Sequence, residues 1–178
     1  MRRPRALSPS GEQALLLGLG FVAVLAVMIP LGPGGALVPP HLLYALLVAW
    51  VIRRPAMTPL WAVLALGLFG DVMLSLPIGL GALGLMLAVE GFRSRAVLFH
   101  GTPFVLEWVA AAIGFALMLA GMHLALRLVF VAPPGLGPSL RFLLATAIAY
   151  PLVVLGITWC LGVRAPREAA GQRLGRLA

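Results

Sequence analysis

The chain has 178 residues, of which 62% are hydrophobic and only 10% are charged. Soluble domains contain about 25% charged residues, so the composition excludes a water-soluble fold and makes lipid the expected solvent. The net charge of +8 comes from 13 basic residues, all of them arginines. Because these arginines stand in twos and threes beside apolar runs, they indicate membrane topology and argue against a nucleic-acid-binding surface.

Six apolar runs follow one another along the chain, at residues 14–29, 37–52, 60–76, 78–92, 104–131 and 140–163. Pro30 and a Gly-rich stretch follow the first run where a signal peptide would have a small-x-small cleavage site, which predicts an uncleaved span. Crossing the hydrocarbon takes about 20 residues. The second and fourth runs are short, so they borrow flanking residues or lie where neighbouring protein shields their ends. The long fifth and sixth runs are expected to tilt.

The arginines divide unevenly between the two sides of this predicted domain. With the N-terminus in the cytoplasm, only Arg127 and Arg141 lie on outer segments. The cytoplasmic segments hold the others: Arg2, Arg3, Arg5, Arg53, Arg54, Arg93, Arg95, Arg164, Arg167, Arg173 and Arg176. Such an excess in short loops is the positive-inside pattern. We therefore predict an all-α polytopic membrane protein with six transmembrane helices over residues 1–163, a short basic cytoplasmic tail over residues 164–178, and both termini in the cytoplasm.

Asp71 is the only aspartate in the chain, and it lies inside the third apolar run. A carboxylate at membrane depth costs on the order of 3 kcal/mol, so it normally has a partner or a function. His123 and Arg127 lie one turn apart on the fifth run, at an expected depth similar to that of Asp71. One hypothesis is a buried pair of Asp71 with Arg127 or His123. The other is that Arg127 reaches the outer headgroups while Asp71 faces a small wet cavity.

A second charged group is expected near the inner face, where Glu90 and Glu107 lie beside arginines and His100. Glu90 and Arg93 have the i, i+3 spacing of a routine surface pair. We interpret this rim as structural, with docking of a cytoplasmic partner as the alternative. The possible partner or lipid contacts are Arg53, Arg54, Arg93, Arg95, Glu90 and Glu107.

Small residues suggest how the helices pack. In lipid, helices associate by close contact of small residues. Gly67 and Gly70 facing Gly81 and Gly84 would give a tight helical hairpin with Asp71 near its closed end. The residues assigned to helix packing are Gly67, Gly70, Pro77, Gly79, Gly81 and Gly84.

The sequence lacks the common catalytic motifs. It contains no Gly-x-Ser-x-Gly element, no His-Glu-x-x-His, no Gly-rich phosphate loop and no second aspartate for a dyad. His41, His100 and His123 fall on different elements, which argues against a metal site. The single cysteine, Cys160, excludes an intramolecular disulfide. We predict a non-enzymatic protein without a metal or cofactor.

Three motifs in one central stretch resemble the MreD family of bacterial rod shape-determining membrane proteins. They are the turn Arg53-Arg54-Pro55, the Gly-x-x-x-Asp step at residues 67–71, and Pro-x-Gly-x-x-Ala-Leu at residues 77–83. An arginine-bearing inner loop with Arg93 and Arg95 follows. The motifs cover about 45 residues of the chain, and the flanks match only as hydrophobic helices.

The resemblance implies a scaffold of the elongation complex in the bacterial cytoplasmic (inner) membrane. Its expected partners are an MreC-like protein, the polymerase RodA, a class B penicillin-binding transpeptidase, indirectly the MreB filament, and membrane lipids. The six-helix, Gly-rich hydrophobic architecture is also similar to the substrate-binding S components of ECF-type vitamin transporters. Substrate binding in such a transporter is therefore the alternative function. An S component would need a pocket near the outer face. The outer loops are short, and the tryptophans resemble an interfacial belt, so the scaffold is favoured.

Overall fold

The structure is a computed structural model that describes residues 9–29, 38–99 and 101–160. It contains six α-helices: α1 (Pro9–Val27), α2 (Leu42–Arg53), α3 (Leu60–Met73), α4 (Leu80–Ser94), α5 (Phe104–Leu128) and α6 (Leu136–Cys160). None of the described residues forms a strand, so the predicted all-α class is confirmed. The predicted cytoplasmic tail and the arginines at residues 2–5 lie outside the described residues.

Three of the helices are long and apolar enough to cross a membrane, at Ser10–Val27, Phe104–Leu128 and Leu136–Trp159. This fits a membrane protein, as the composition predicts. The other three have only 12, 14 and 15 residues. At 1.5 Å per residue they measure about 18–22 Å, less than the roughly 30 Å of a bilayer's hydrocarbon core.

Prolines and a glycine set where three of the helices begin. Pro59 and Pro103 are the N-cap residues of α3 and α5, each with an extended backbone. Proline suits such positions because it has no N–H group to leave unpaired. Gly79 is the N-cap of α4 and has φ +92°, a left-handed conformation that glycine adopts without strain. The sixth run was predicted to start at residue 140, but α6 begins four residues earlier, with Pro138 in its first turn.

Helix α2 is the centre of the bundle. Every residue of α2 after Leu42 is buried, and the helix packs against α1, α4, α5 and α6. A short helix enclosed by protein does not need to reach the two bilayer surfaces by itself. Of the two explanations for the short second run, shielding by neighbouring protein is therefore the one that the structure shows.

The tryptophans do not all fit the predicted interfacial belt. Trp50 lies on α2 and is fully buried, whereas Trp61 and Trp159 are exposed. Trp108 on α5 donates its indole N–H to the carbonyl oxygen of Ala147 at 2.7 Å. Pro151, four residues further along α6, has no N–H to bond that carbonyl. The indole thus satisfies a backbone acceptor that the proline leaves free.

Helices α3 and α4 form the predicted hairpin, but the predicted glycine pairs do not meet, and only Gly67 and Gly81 lie in the contact between the two helices. A Cβ atom on Gly67 would lie 2.6 Å from the Ala82 Cα atom, and one on Gly81 would overlap the Asp71 carboxylate. Gly70 instead faces Leu43 and Val24, and Gly84 faces Met118. Because α2 is central, α3 and α4 each turn one glycine towards helices outside the hairpin.

Successive helices run in opposite directions. One end of the bundle, the α3–α4 end, contains the connection at residues 74–79, the C-terminus of α5 and the N-terminus of α6. The opposite end, the α2–α3 end, contains the connection at residues 54–59. Among the described arginines, Arg53, Arg54, Arg93 and Arg95 lie towards the α2–α3 end, and Arg127 and Arg141 lie towards the α3–α4 end.

Candidate functional site

The carboxylate of Asp71 caps the N-terminus of α4. Its Oδ2 atom accepts hydrogen bonds from the backbone N–H groups of Gly79 at 2.8 Å and Ala82 at 3.2 Å. The first N–H groups of a helix have no partners within the helix, and the helix dipole favours a negative charge at this end. Asp71 is only 2% exposed, so the helix end gives a buried carboxylate the partner that membrane depth requires.

The predicted pairing of Asp71 with Arg127 or His123 is therefore not what the structure shows. Arg127 is exposed at the surface. The His123 ring lies near the Leu119 carbonyl oxygen (2.8 Å), the Pro134 carbonyl oxygen (3.2 Å) and the Ser139 hydroxyl (3.0 Å). These contacts connect α5 with the start of α6. Asp71, in contrast, connects α3 with α4.

A cavity of about 370 Å³ lies at the α3–α4 end, and all six helices contribute to its walls. Most of the lining is aliphatic, from residues such as Val24, Leu85 and Leu126. Its polar side chains are those of His41, Asp71, His123 and Ser139. The structure thus brings Asp71 and His123 to one cavity without joining them directly.

His41 is the cavity residue that sequence reasoning missed. It is the N-cap of α2, and its Nδ1 atom accepts a hydrogen bond from the Tyr44 backbone N–H at 3.2 Å. An accepting Nδ1 places the proton of the neutral ring on Nε2. The ring stacks on Phe142 with centroids 5.9 Å apart and meets Phe115 edge-on at 5.6 Å. These residues are distant in sequence, so no local pattern signals the site.

A buried ionic network lies towards the α2–α3 end. Arg53 Nη1 and Nη2 donate to Glu107 Oε1 and Oε2 at 2.8 and 3.2 Å. The Tyr150 hydroxyl donates to Glu107 Oε1 at 2.7 Å, and Arg53 Nη1 also donates to the Ala49 carbonyl oxygen at 2.9 Å. The network joins α2, α5 and α6 through charged side chains.

Arg53 and Glu107 were predicted as possible partner or lipid contacts at an exposed rim, and this is corrected. Their residues are only 4% and 6% exposed. Arginine's planar fork suits a two-point pair with a carboxylate, and a buried charge has to be paired. Both side chains are used inside the bundle, so neither is available to a partner.

The remaining rim residues lie nearer the surface. Arg93 pairs with Glu90 at 3.1 Å, at the predicted i, i+3 spacing, and also donates to the Thr58 carbonyl oxygen. Arg95 bonds the Gly91 carbonyl oxygen of its own helix at 3.1 Å, and Arg54 is exposed. Glu90, Arg54 and Arg95 are thus the predicted contact residues whose charged groups face outward, while His100 lies outside the described residues.

The arrangement suits binding and helix assembly. Over the described ranges, no three metal-ligating side chains come together. The cavity offers a carboxylate oxygen and an imidazole N–H within an aliphatic shell, groups that hold a ligand by hydrogen bonds. Among known proteins, no family model, no curated protein and no solved structure matches the chain.

Proposed function

We propose that this protein is a non-enzymatic scaffold of the bacterial inner membrane that crosses the bilayer six times, with both termini in the cytoplasm. By its resemblance to the MreD family it binds an MreC-like single-pass protein. Through that protein it helps to position RodA and a class B penicillin-binding transpeptidase, with the MreB filament as an indirect partner.

The observation that supports this proposal is that each of the three resembling motifs supplies a contact between helices or at a helix end. Arg53 holds the buried network, Gly67 packs on Ala82, and Asp71 caps α4 at Gly79. The motif positions thus join α2 to α5 and α3 to α4. Residues that fix a helical framework are what a scaffold needs, since its function is to present surfaces to other membrane proteins.

A groove of about 570 Å³ between α4 and α5 is where we place the transmembrane helix of the single-pass partner. Its walls are apolar and rich in small residues: Gly84, Ala88, Gly91, Ala110, Gly114 and Gly121. Small residues let a second helix approach closely in lipid. The groove ends at Arg95 and Phe99, towards the α2–α3 end.

Gly121 allows a clean test of the groove. A Cβ atom there meets nothing within 4 Å, and the same holds for Gly156 on α6. The Gly121→Leu variant should fill the groove and abolish co-purification of an MreC-like protein, while Gly156→Leu should leave it intact. Equal co-purification with both variants would place the partner elsewhere.

The scaffold function itself is tested by cross-linking in the native membrane and affinity purification of the full chain. An MreC-type protein among the products supports the proposal. Recovery of an ATPase energising module without any MreC-type protein refutes it.

The second candidate function is a substrate-binding S component of an ECF-type transporter. The cavity at the α3–α4 end favours it, because an S component needs a pocket at the outer face. The connections at this end are short, but the ends of the helices enclose the cavity without a long loop. The purification above separates the two functions.

A further inference from the structure

We propose that the cavity at the α3–α4 end is a binding site for a small, uncharged, mostly apolar molecule that carries a hydroxyl group. The inference holds for either candidate function, because it concerns occupancy of the cavity alone. It follows from two polar atoms that have no partner among the described residues, from the residues that line the cavity, and from the charge of Asp71.

The acceptor is the second oxygen of the Asp71 carboxylate. Oδ2 takes both amide hydrogen bonds from α4, and Oδ1 has no hydrogen-bond partner within the described chain. Asp71 is 98% buried and lines the cavity. A carboxylate oxygen beside a mostly aliphatic cavity has few donors within reach, and a ligand hydroxyl can supply one.

The donor is the imidazole N–H of His41. Its Nδ1 atom is used in capping α2, so the proton resides on Nε2, which bonds no other group in the part of the chain described here. Stacking on Phe142 and edge contact with Phe115 hold the ring in place against the cavity. Over residues 9–29, 38–99 and 101–160, no ion pair involves either Asp71 or His41.

The other residues that line the cavity determine the polarity of the rest of the ligand. Their side chains are aliphatic, among them those of Leu43, Leu119 and Met122. The volume of about 370 Å³ falls within the roughly 300–1,000 Å³ typical of small-molecule sites. A polar body would lose its hydration without replacement, so an apolar one is required.

The charge of Asp71 and the aliphatic lining disfavour both ionic classes of ligand. An anion would be repelled by Asp71, and the carboxylate is already stabilised by the N–H groups at the start of α4. A cation would be attracted by Asp71, but it would have to leave water for a largely aliphatic cavity, and the carboxylate already accepts two hydrogen bonds from the N-terminus of α4. A hydroxyl group can donate to Asp71 and accept from His41 without introducing a charge.

The test uses the full chain in lipid nanodiscs with two photoreactive probes, an alkyne-tagged diazirine analogue of decanol and the matched analogue of decane. Mass spectrometry locates the labelled residues. The alcohol probe should label Leu43 and Leu85, which line the cavity and not the groove between α4 and α5, in competition with unlabelled decanol. The decane probe should label residues at the exposed surface of the bundle, such as Ile148 and Leu152, and leave the cavity almost unlabelled.

Two variants remove the ligand-facing atoms and keep the caps. Asp71→Asn retains an oxygen that accepts from α4, and His41→Asn retains an N-cap acceptor for α2. Each should lower cavity labelling by the alcohol about tenfold, as expected for a lost hydrogen bond with a buried partner. The circular dichroism spectrum and melting temperature show that each variant is folded.

Filling the cavity gives an independent variant with both caps intact. Leu119→Phe places a larger side chain in the cavity and should reduce labelling of Leu43 and Leu85 by the alcohol at least tenfold. Equal labelling of the cavity by both probes overturns the proposal. So does labelling that is unchanged in Leu119→Phe, or in both cap-preserving variants.

Discussion

The buried Arg53–Glu107 pair should make a far larger contribution to stability than the exposed Glu90–Arg93 pair. Replacing Glu107 by Gln leaves the Arg53 guanidinium with no counter-charge in a site where both side chains are at most 8% exposed. Breaking a buried ion pair by removing one partner costs about 3–5 kcal/mol. Replacing Glu90 by Gln breaks a pair whose carboxylate side chain is 52% exposed, at a cost of about 0–1 kcal/mol.

These values translate into separate shifts of the melting temperature. For a chain of this size, 1 kcal/mol corresponds to about 2–4 °C. We expect Glu107→Gln to lower the melting temperature in detergent micelles by about 6–20 °C, and Glu90→Gln by about 4 °C at most. Intrinsic tryptophan fluorescence is a suitable readout, because Trp50 lies on the same helix as Arg53.

A double variant shows whether an unpaired charge is the cause. Arg53→Met with Glu107→Leu replaces both charges by apolar groups of similar size, which should restore most of the stability lost in Glu107→Gln. If Glu107→Gln and Glu90→Gln shifted the melting temperature equally, the buried network would not be what holds α2 to α5.

Three further outcomes are expected. Trp108→Phe should destabilise the protein by about 1 kcal/mol through loss of the hydrogen bond to Ala147. Adding Pro151→Ala should recover that loss, because the new backbone N–H can bond the same carbonyl oxygen. Additive effects of the two substitutions on the free energy of unfolding, measured by chemical unfolding, would contradict this. Gly114→Ala should lower the melting temperature, since its Cβ would lie 2.7 Å from the Tyr44 hydroxyl oxygen. Gly121→Ala, which meets nothing within 4 Å, should raise it slightly, and the reverse order would refute the packing described for α5.

The helices could be predicted from sequence because their signals are local. Apolar runs, the prolines before α3 and α5 and the glycine before α4 place the six elements within a few residues of where the structure has them. That α2 is enclosed could not be predicted, because a continuous apolar run has the same appearance whether it faces lipid or protein.

The site was harder to predict, since its contacts connect distant parts of the chain. Asp71 was identified from the cost of a lone carboxylate in an apolar run, but its partners are backbone amides, which every residue except proline carries. The pairing of Arg53 with Glu107 joins residues 54 apart. Both residues were expected near the inner face, and that position is compatible with a water-exposed rim as well as with a buried ion pair. His41 gave no signal, because its role comes from a ring stacked on α6.

The enclosure of α2 has a consequence for how the chain is assembled during synthesis. Its walls include α6, and the His41 backbone N–H donates to the Thr146 hydroxyl, 105 residues later. When α2 leaves the ribosome, neither α6 nor Glu107, the counter-charge of Arg53, has yet been made. The packing of this segment can therefore be completed only after the last helix has been translated. Until then a chaperone, the insertase or a temporary packing of α2 against α1 and α3 has to shield it.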